Sequence, residues 1–416
     1  MLKAFINPAQ IVTINTNGKN FKRGSEAGSV DVLERHSIIV ENDTVLDIIP
    51  NTSINKIKPD KIINLKDKIV LPGLIDCHTH TVFAGSRAEE FKLKLSGATY
   101  EDIARSGGGI NKTVRSVRES SEEELLEAAK KRIEFFITQG ITSLEIKSGY
   151  GLDFANEIKI LRVISKLIAL YPIDIIPTFL GAHTFPPEYR NDQNSYVDLI
   201  INKMLPFVAE NKLAVFCDAY CEILDFLPEQ VDRIFTKASE SGLPLKLHSE
   251  QFNNIGGIEL ALKHKVTSID HLEVIRDEDI KRLAATDSVS VVLPGVSFFL
   301  HYGYAPVRKL LENNAIVAIA TDFNPGSSHI PNLHFIMALA AIEMKMKTEE
   351  IFSAVTINAA KALGLNHKTG SIEIGKKADF AVFDTKDYAN IIYEVGRNIV
   401  YATIKNGNII YKTSEV

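Results

Sequence analysis

The chain has 416 residues, 45% hydrophobic and 24% charged, with a formal net charge of -5, the balance of a folded globular protein and not of a disordered or fibrous one. That charge excludes a nucleic-acid binder working through a basic face. No apolar run is long enough to cross a bilayer, and "MLKAFINPAQIVTIN" lacks a charged region leading into a continuous apolar stretch, so a cytoplasmic protein without a membrane partner is expected.

From the N-terminus, the first sixty or so residues alternate short β-rich runs, "AQIVTIN", "HSIIVEND", "TVLDIIP" and "KIINLKDK", with turn clusters such as "TNGKN". The C-terminal segments "GSIEIGKKADFAVFD" and "VYATIKNGNIIYK" have the same texture around Gly and Asn-Gly turns. Both ends are therefore expected to build one small β-sandwich domain, residues 1–66 with 368–416, and the central 67–367 to be inserted between them. Within that insert, "KIVLPGLIDCH", "ITSLEIKSG", "DIIPTFLGAH", "AVFCDAYCE", "PLKLHSE", "VTSIDHL", "SVSVVLPG" and "AIVAIATDF" read as strands. Helical segments such as "SEEELLEAAKKRIEFFITQG" and "ANEIKILRVISKLIAL" separate many of them. Eight strands in this alternation predict an α/β fold, a closed (β/α)8 TIM-like barrel. An open doubly wound sheet is the alternative, but the first strand leads into His-Thr-His and not into a Gly-rich phosphate turn.

A barrel carries its chemistry at the C-terminal ends of its strands. Here those ends carry Asp76, His78 and His80, then His183, His248, Asp270 with His271, and Asp322. With a strand period of two, His78 and His80 share a face and Cys77 and Thr79 take the other. Alone, an H-x-H pair is more often a structural feature than a ligand pair. Joined by His248 and Asp322 it makes three imidazoles and a carboxylate, with a position left for water, which suits a catalytic zinc or iron(II) site. His271 is expected to be catalytic, since it ends strand six beside the proposed ion, and Asp76 and Asp270 to orient neighbours. Lys147 is not expected to be a bridging carbamate, because a Ser-Gly follows it and strands three and four offer no lysine. The three cysteines, Cys77, Cys217 and Cys221, imply buried thiols and no disulfide framework. His36, His264, His301, His334 and His367 receive no task, and Gly107, Gly108 and Gly109 read as a lid or close-approach loop, there being no P-loop lysine after them.

On "LPGLIDCHTH", "ATDFNPGSS", "FAGSRAEEF", "RSGGGI", "EIKSGYGL", "GAHTFPPEY", "KLHSEQFNNIGG" and "DHLE", the chain resembles the amidohydrolase superfamily of metal-dependent barrels over nearly its whole length. Within it the resemblance is to the imidazolonepropionase family, which opens the ring of 4-imidazolone-5-propanoate to give N-formimidoyl-L-glutamate in histidine degradation. The resemblance implies one zinc or iron ion per subunit on His78, His80, His248 and Asp322. It implies that Arg87, Tyr150 and His183 meet the propanoate and ring, that Asn324, Gly326 and Ser327 contact the formimidoyl-glutamate portion, and that the protein is a homodimer. Arg87 suits the propanoate because its planar fork matches a carboxylate; a surface ion pair with Glu89 or Glu90 is the plainer alternative. Gln251 stands where some members carry glutamate, and a glutamine orients a ring but moves no proton at neutral pH. Deamination is thereby disfavoured, and proton transfer falls to Asp322 and His271, with Glu250 expected on the opposite face. Another cyclic amidohydrolase or an aromatic deaminase is the alternative among enzymes, and a metal-bound scaffold without catalysis the alternative outside them.

Overall fold

In the computed structural model, which describes residues 1–97 and 108–413, eight parallel strands follow one another around a barrel in chain order. They are Leu74–Asp76, Ile141–Lys147, Asp174–Ala182, Phe216–Cys221, Leu245–Ser249, Ser268–His271, Val289–Val292 and Ile316–Ile319. Helices cover the outside. The helix Glu122–Thr138 starts where Ser121 and Glu124 exchange side-chain and backbone hydrogen bonds in a capping box, and Phe154–Leu170 starts on Asp153, whose side chain accepts from Asn156 N. Gly107 and the residues 98–106 before it lie outside the described residues. Among the described residues, no helix is long and apolar enough to cross a membrane.

Closure happens beyond the paired strands. The first and eighth strands meet through their C-terminal extensions, where Asp322 N donates to His78 O at 3.0 Å, His80 N donates to Phe323 O at 2.9 Å, and Thr79 bridges to Phe323 in parallel. His78 and His80 therefore sit one step past the end of the first strand, which stops at Asp76, and it is the seam that fixes their direction.

Two further sheets draw on both chain ends. One has four strands, in the order Thr44–Pro50, His36–Glu41, Leu2–Ile6 and Lys61–Asn64; the other has six, in the order Asn408–Lys412, Val400–Lys405, Phe380–Phe383, Ile69–Pro72, Gln10–Val12 and Val32–Leu33. Between them lies a core of Phe5, Ile38, Val40, Val70, Phe380 and Val382, with the Phe5 and Phe380 rings edge to face at 5.5 Å. The alternate residues of the six-stranded sheet, Ile69, Leu71, Ala381 and Phe383, belong to the barrel's own apolar core. Period-two alternation thus lets one sheet serve two cores.

The run "KIVLPGLIDCH", expected to be one strand, is two. Ile69–Pro72 pairs antiparallel with Phe380–Phe383, and only Leu74–Asp76 enters the barrel. The chain crosses between them at Gly73, where a Cβ would lie 2.1 Å from Thr142 Oγ1. Only a bare Cα fits against that side chain. Gly73→Ala is expected to destabilise the protein by about 1–3 kcal/mol through overpacking, read as a lowered midpoint in urea unfolding, and Thr142→Ala in the same chain, which removes the two nearest atoms but keeps the Thr142 Cβ position, should recover part of the loss.

Candidate active site

Three imidazoles and a carboxylate converge at the seam. His78, His80 and His248 each offer a ligand atom within 4.8 Å of the others, and Asp322 Oδ1 lies 3.3 Å from both His78 Nε2 and His80 Nε2. All four residues are buried, yet among the described residues His78 Nε2, His248 Nε2 and Asp322 Oδ1 have no hydrogen-bond partner. Orphaned buried polar atoms facing one centre are costly unless something satisfies them. A cation fits that donor set.

The far sides of two of these rings are committed. His78 Nδ1 lies 2.6 Å from Asp270 Oδ2 and His248 Nδ1 lies 3.1 Å from Asp218 Oδ1, so each ring donates through Nδ1 and turns Nε2 toward the centre. Both carboxylates are in turn held from below. Lys147 Nζ stands 2.7 Å from Asp218 Oδ2, 3.0 Å from Glu145 Oε2 and 3.6 Å from Asp270 Oδ2. Lys246 Nζ completes the set, 2.7 Å from Glu145 Oε2 and 3.1 Å from Cys77 O. Burial would strip Lys147 of its proton, but Asp218, Glu145 and Asp270 outweigh it and raise the group above the ordinary lysine value. An ammonium here balances carboxylates, whereas a carbamate would add one more negative charge.

The same balance sets the four converging residues. Burial opposes the charge of Asp322, and the imidazoles of His78 and His80 beside it outweigh that, holding the carboxyl well below the usual range. Burial pushes His248 down to about 3 against the pull of Asp218, and it lowers His80. His78 is pushed up to about 9, burial and Lys147 being overcome by Asp270 and Asp322. An arriving cation would displace that proton. Asp76 accepts from Thr321 N at 3.1 Å and Thr321 Oγ1 at 2.6 Å, which pins the chain just before Asp322.

Around this centre stand the other expected residues. His271 ends the sixth strand with its ring 5.5 Å from that of His248, and its Nδ1 lies 3.5 Å from Glu273 Oε1. Its backbone is left-handed at φ 90°, as is that of Leu272 at 74° and of Asp322 at 46°; such strain, of order 1–3 kcal/mol per residue, gathers at functional sites. His183 stacks on His80 with ring centroids 5.2 Å apart and donates through Nδ1 to Gly149 O at 2.9 Å, and burial keeps it neutral. Tyr150 is buried with its ring 5.3 Å from His183; burial and Asp322 raise its hydroxyl, which stays a donor. Gln251 is clamped at both ends of its amide, accepting from Tyr220 OH at 2.8 Å and donating to Tyr302 OH at 3.1 Å.

Arg87 is paired with Glu90, its Nε 2.9 Å from Glu90 Oε2, but the carboxylate is buried and the pair is not a surface one. Asn324 organises its own loop: Oδ1 accepts from Gly326 N and Ser327 N, each at 2.8 Å, and Nδ2 donates to Asp322 O at 2.7 Å. Glu250 turns away with a left-handed φ of 59° and lines a polar cavity with Asn254, Glu259, Arg276 and Asp279. The cysteines are free and buried. His36, His264, His334 and His367 bond elsewhere, to Glu34 O, Asp232, Gln139 O and Asn20, and His301 caps the helix Pro294–Leu300.

Sequence reasoning passed over Glu145, Asp218, Lys246 and Glu157. The last accepts from Gly149 N, Gly151 N and Leu152 N at 3.0, 2.7 and 2.9 Å, shaping the loop that carries Tyr150. A signal existed for two of them. Asp218 and Lys246 are charges inside otherwise apolar strands, a pattern that demands buried partners.

The sequence pattern of the amidohydrolase family matches residues 105–411. An imidazolonepropionase from Clostridium tetani is 43% identical over 411 residues, 98% of each chain, and one from Flavobacterium johnsoniae is 40% identical over 99% of this chain and 100% of its own. Among solved structures, an adenosine deaminase from Xanthomonas campestris with bound zinc superposes with a TM-score of 0.73 at 18% identity, covering 98% of this chain and 92% of that one. That likeness speaks to the fold.

Lys147→Met leaves Asp218 and Asp270 without their cation. Breaking a buried ion pair by removing one partner costs about 3–5 kcal/mol, so chemical denaturation should show a loss of that order, and elemental analysis of the folded fraction should show less bound metal than in the parent chain.

Proposed function

The chain belongs to the amidohydrolase family and, within it, to the imidazolonepropionases, and from that premise we propose that it hydrolyses the cyclic amide of 4-imidazolone-5-propanoate to N-formimidoyl-L-glutamate. One zinc or iron ion would be held by His78, His80, His248 and Asp322. The observation that carries this reading is the set of buried, unpartnered donor atoms at the seam, backed by carboxylates on the far side of two imidazoles. Carried over from the family, the same reading makes the enzyme a cytoplasmic homodimer.

When bound, the ion supplies Lewis acidity and brings the pKa of water down to about 7. Asp322 stays ionised in this setting, so its carboxylate is free to take the proton of the attacking water. The water oxygen adds to the ring carbonyl carbon. His271, at the end of the neighbouring strand, donates a hydrogen bond to the oxygen on which negative charge develops. The carbon–nitrogen bond then breaks, the departing nitrogen takes its proton from Asp322 or His271, and a carboxylate and an acyclic amidine result.

Binding falls to the surrounding groups. Arg87 takes the propanoate through its planar fork. Tyr150 and His183, packed against His80, face the ring, and Gln251, held by Tyr220 and Tyr302, orients it. Asn324, Gly326 and Ser327 shape the wall met by the opened product. A glutamine in this position supports ring opening over deamination, since its amide relays no proton onto a ring nitrogen.

Purified protein loaded with zinc or iron should consume 4-imidazolone-5-propanoate and release no ammonia from aminated rings; ammonia release without ring opening would overturn the reading. In the same assay His271→Ala should lower kcat by roughly 10²–10⁴-fold, the range for a lost proton-transfer or charge-stabilising group. Gln251→Ala should act mainly on KM.

A further inference from the structure

Arg87 is gripped on two sides, by a glutamate that no chemistry has so far needed and by a glycine already placed in the wall of the site. On one side is Glu90, in the first turn of the helix Ala88–Leu95. Its side chain is 6% exposed against 15% for Arg87. Glu90 Oε2 accepts from Arg87 Nε at 2.9 Å and from Gly109 N at 3.1 Å, while Oε1 is buried without a partner among the described residues. On the other side is Gly326, in the loop after the eighth strand. A Cβ built there would lie 2.1 Å from Arg87 Nη1 and 3.2 Å from Cζ, so the guanidinium rests on the bare Cα. Gly326 is itself fixed, its N–H bound to Asn324 Oδ1 at 2.8 Å.

We propose that Glu90 is a positioning residue for Arg87, and that Glu90 and Gly326 together set which edge of the guanidinium meets the acidic arm of the substrate. This rests on the reading of Arg87 given above. A guanidinium offers five N–H donors along its edges. Glu90 occupies the Nε edge, which leaves the two terminal nitrogens to grasp a carboxylate end-on. Without Glu90 the side chain regains rotamer freedom and the Nε edge competes for the same carboxylate. Any side chain at position 326 would push the fork off its seat. The grip spans the loops after the first and eighth strands, the two that also bring His78, His80 and Asp322 together. The length of the substrate arm is thereby measured from the metal donors to a fixed charge. Glu90 also accepts from Gly109 N, so Gly109 and the arginine share one anchor.

The test uses competitive inhibition of the metal-loaded enzyme by imidazole-4-propanoate and by its uncharged amide, imidazole-4-propanamide. The parent enzyme should prefer the carboxylate, and Arg87→Ala should abolish that preference. Glu90→Ala should cut it about tenfold, the size of one charge-assisted hydrogen bond, with kcat far less affected than KM. Glu90→Gln, whose amide oxygen still accepts from Nε, should restore it to within a few fold of the parent, and Gly326→Ala should lower it in the same direction as Glu90→Ala. Equal loss of affinity for both inhibitors in Glu90→Ala, or an unchanged preference in Glu90→Ala and Gly326→Ala while Arg87→Ala abolishes it, would overturn the proposal alone. An unchanged preference in Arg87→Ala would overturn the Arg87 reading and the proposal with it. If Glu90→Ala fails to fold, the Gly326→Ala measurement decides.

Discussion

The site stands on a buried ammonium. Beneath the imidazole cluster the barrel interior holds Glu145, Asp218 and Asp270, all fully buried, and carboxylates this close repel one another strongly where water is excluded. Lys147, with Lys246 beside it, lies within ion-pair reach of all three and helps hold Asp218 and Asp270 below the usual carboxylate range. Asp218 Oδ1 holds His248 by Nδ1, and Asp270 Oδ2, the oxygen nearer Lys147, holds His78 by Nδ1. The orientation of these two imidazoles is thus decided one layer down, by electrostatics in the second, fourth, fifth and sixth strands.

Such an arrangement supports chemistry better than it supports stability. A hydrophobic filling of similar volume is often as stable as a buried ionic cluster, or more so, and the left-handed backbone at His271, Leu272 and Asp322 adds strain. The compensation comes from packing. The apolar core that surrounds the barrel is continuous from the strand exteriors to the helices and on to the inner face of the six-stranded sheet. The six-stranded sheet therefore backs the barrel, with Ile69, Leu71, Ala381 and Phe383 facing inward.

Much of this was readable in the chain. Strand-helix alternation and polar residues at strand ends sufficed for the barrel and for the convergence of His78, His80, His248 and Asp322, because both rest on local periods. The division of "KIVLPGLIDCH" had a signal in Pro72-Gly73, where the two strands part, but an apolar run on both sides of such a pair looks the same whether it feeds one sheet or two, and the contact between Gly73 and Thr142 shows why the break falls there. The ionic layer was hidden for a related reason. Asp218 and Lys246 look like isolated charges in apolar strands, and the cross-strand register that pairs them, Asp218 opposite Lys246 and His248 opposite Asp270, exists only in three dimensions. Arg87 carries two competing readings in the sequence, a substrate clamp and one half of a surface ion pair with Glu89 or Glu90. A pair with Glu90 is present but buried beside Gly326, so it does not exclude the first.

The seam has a consequence for how the molecule is made. Its two sides come from opposite ends of the barrel sequence, as in the bonds that Thr321 gives to Asp76 across 245 positions. A nascent polypeptide emerging from the ribosome can assemble most of the staves while the last is still inside the tunnel, but it has no complete cradle for an ion until that stave arrives. Any ion held at the seam would therefore be taken up last, as a final act of maturation.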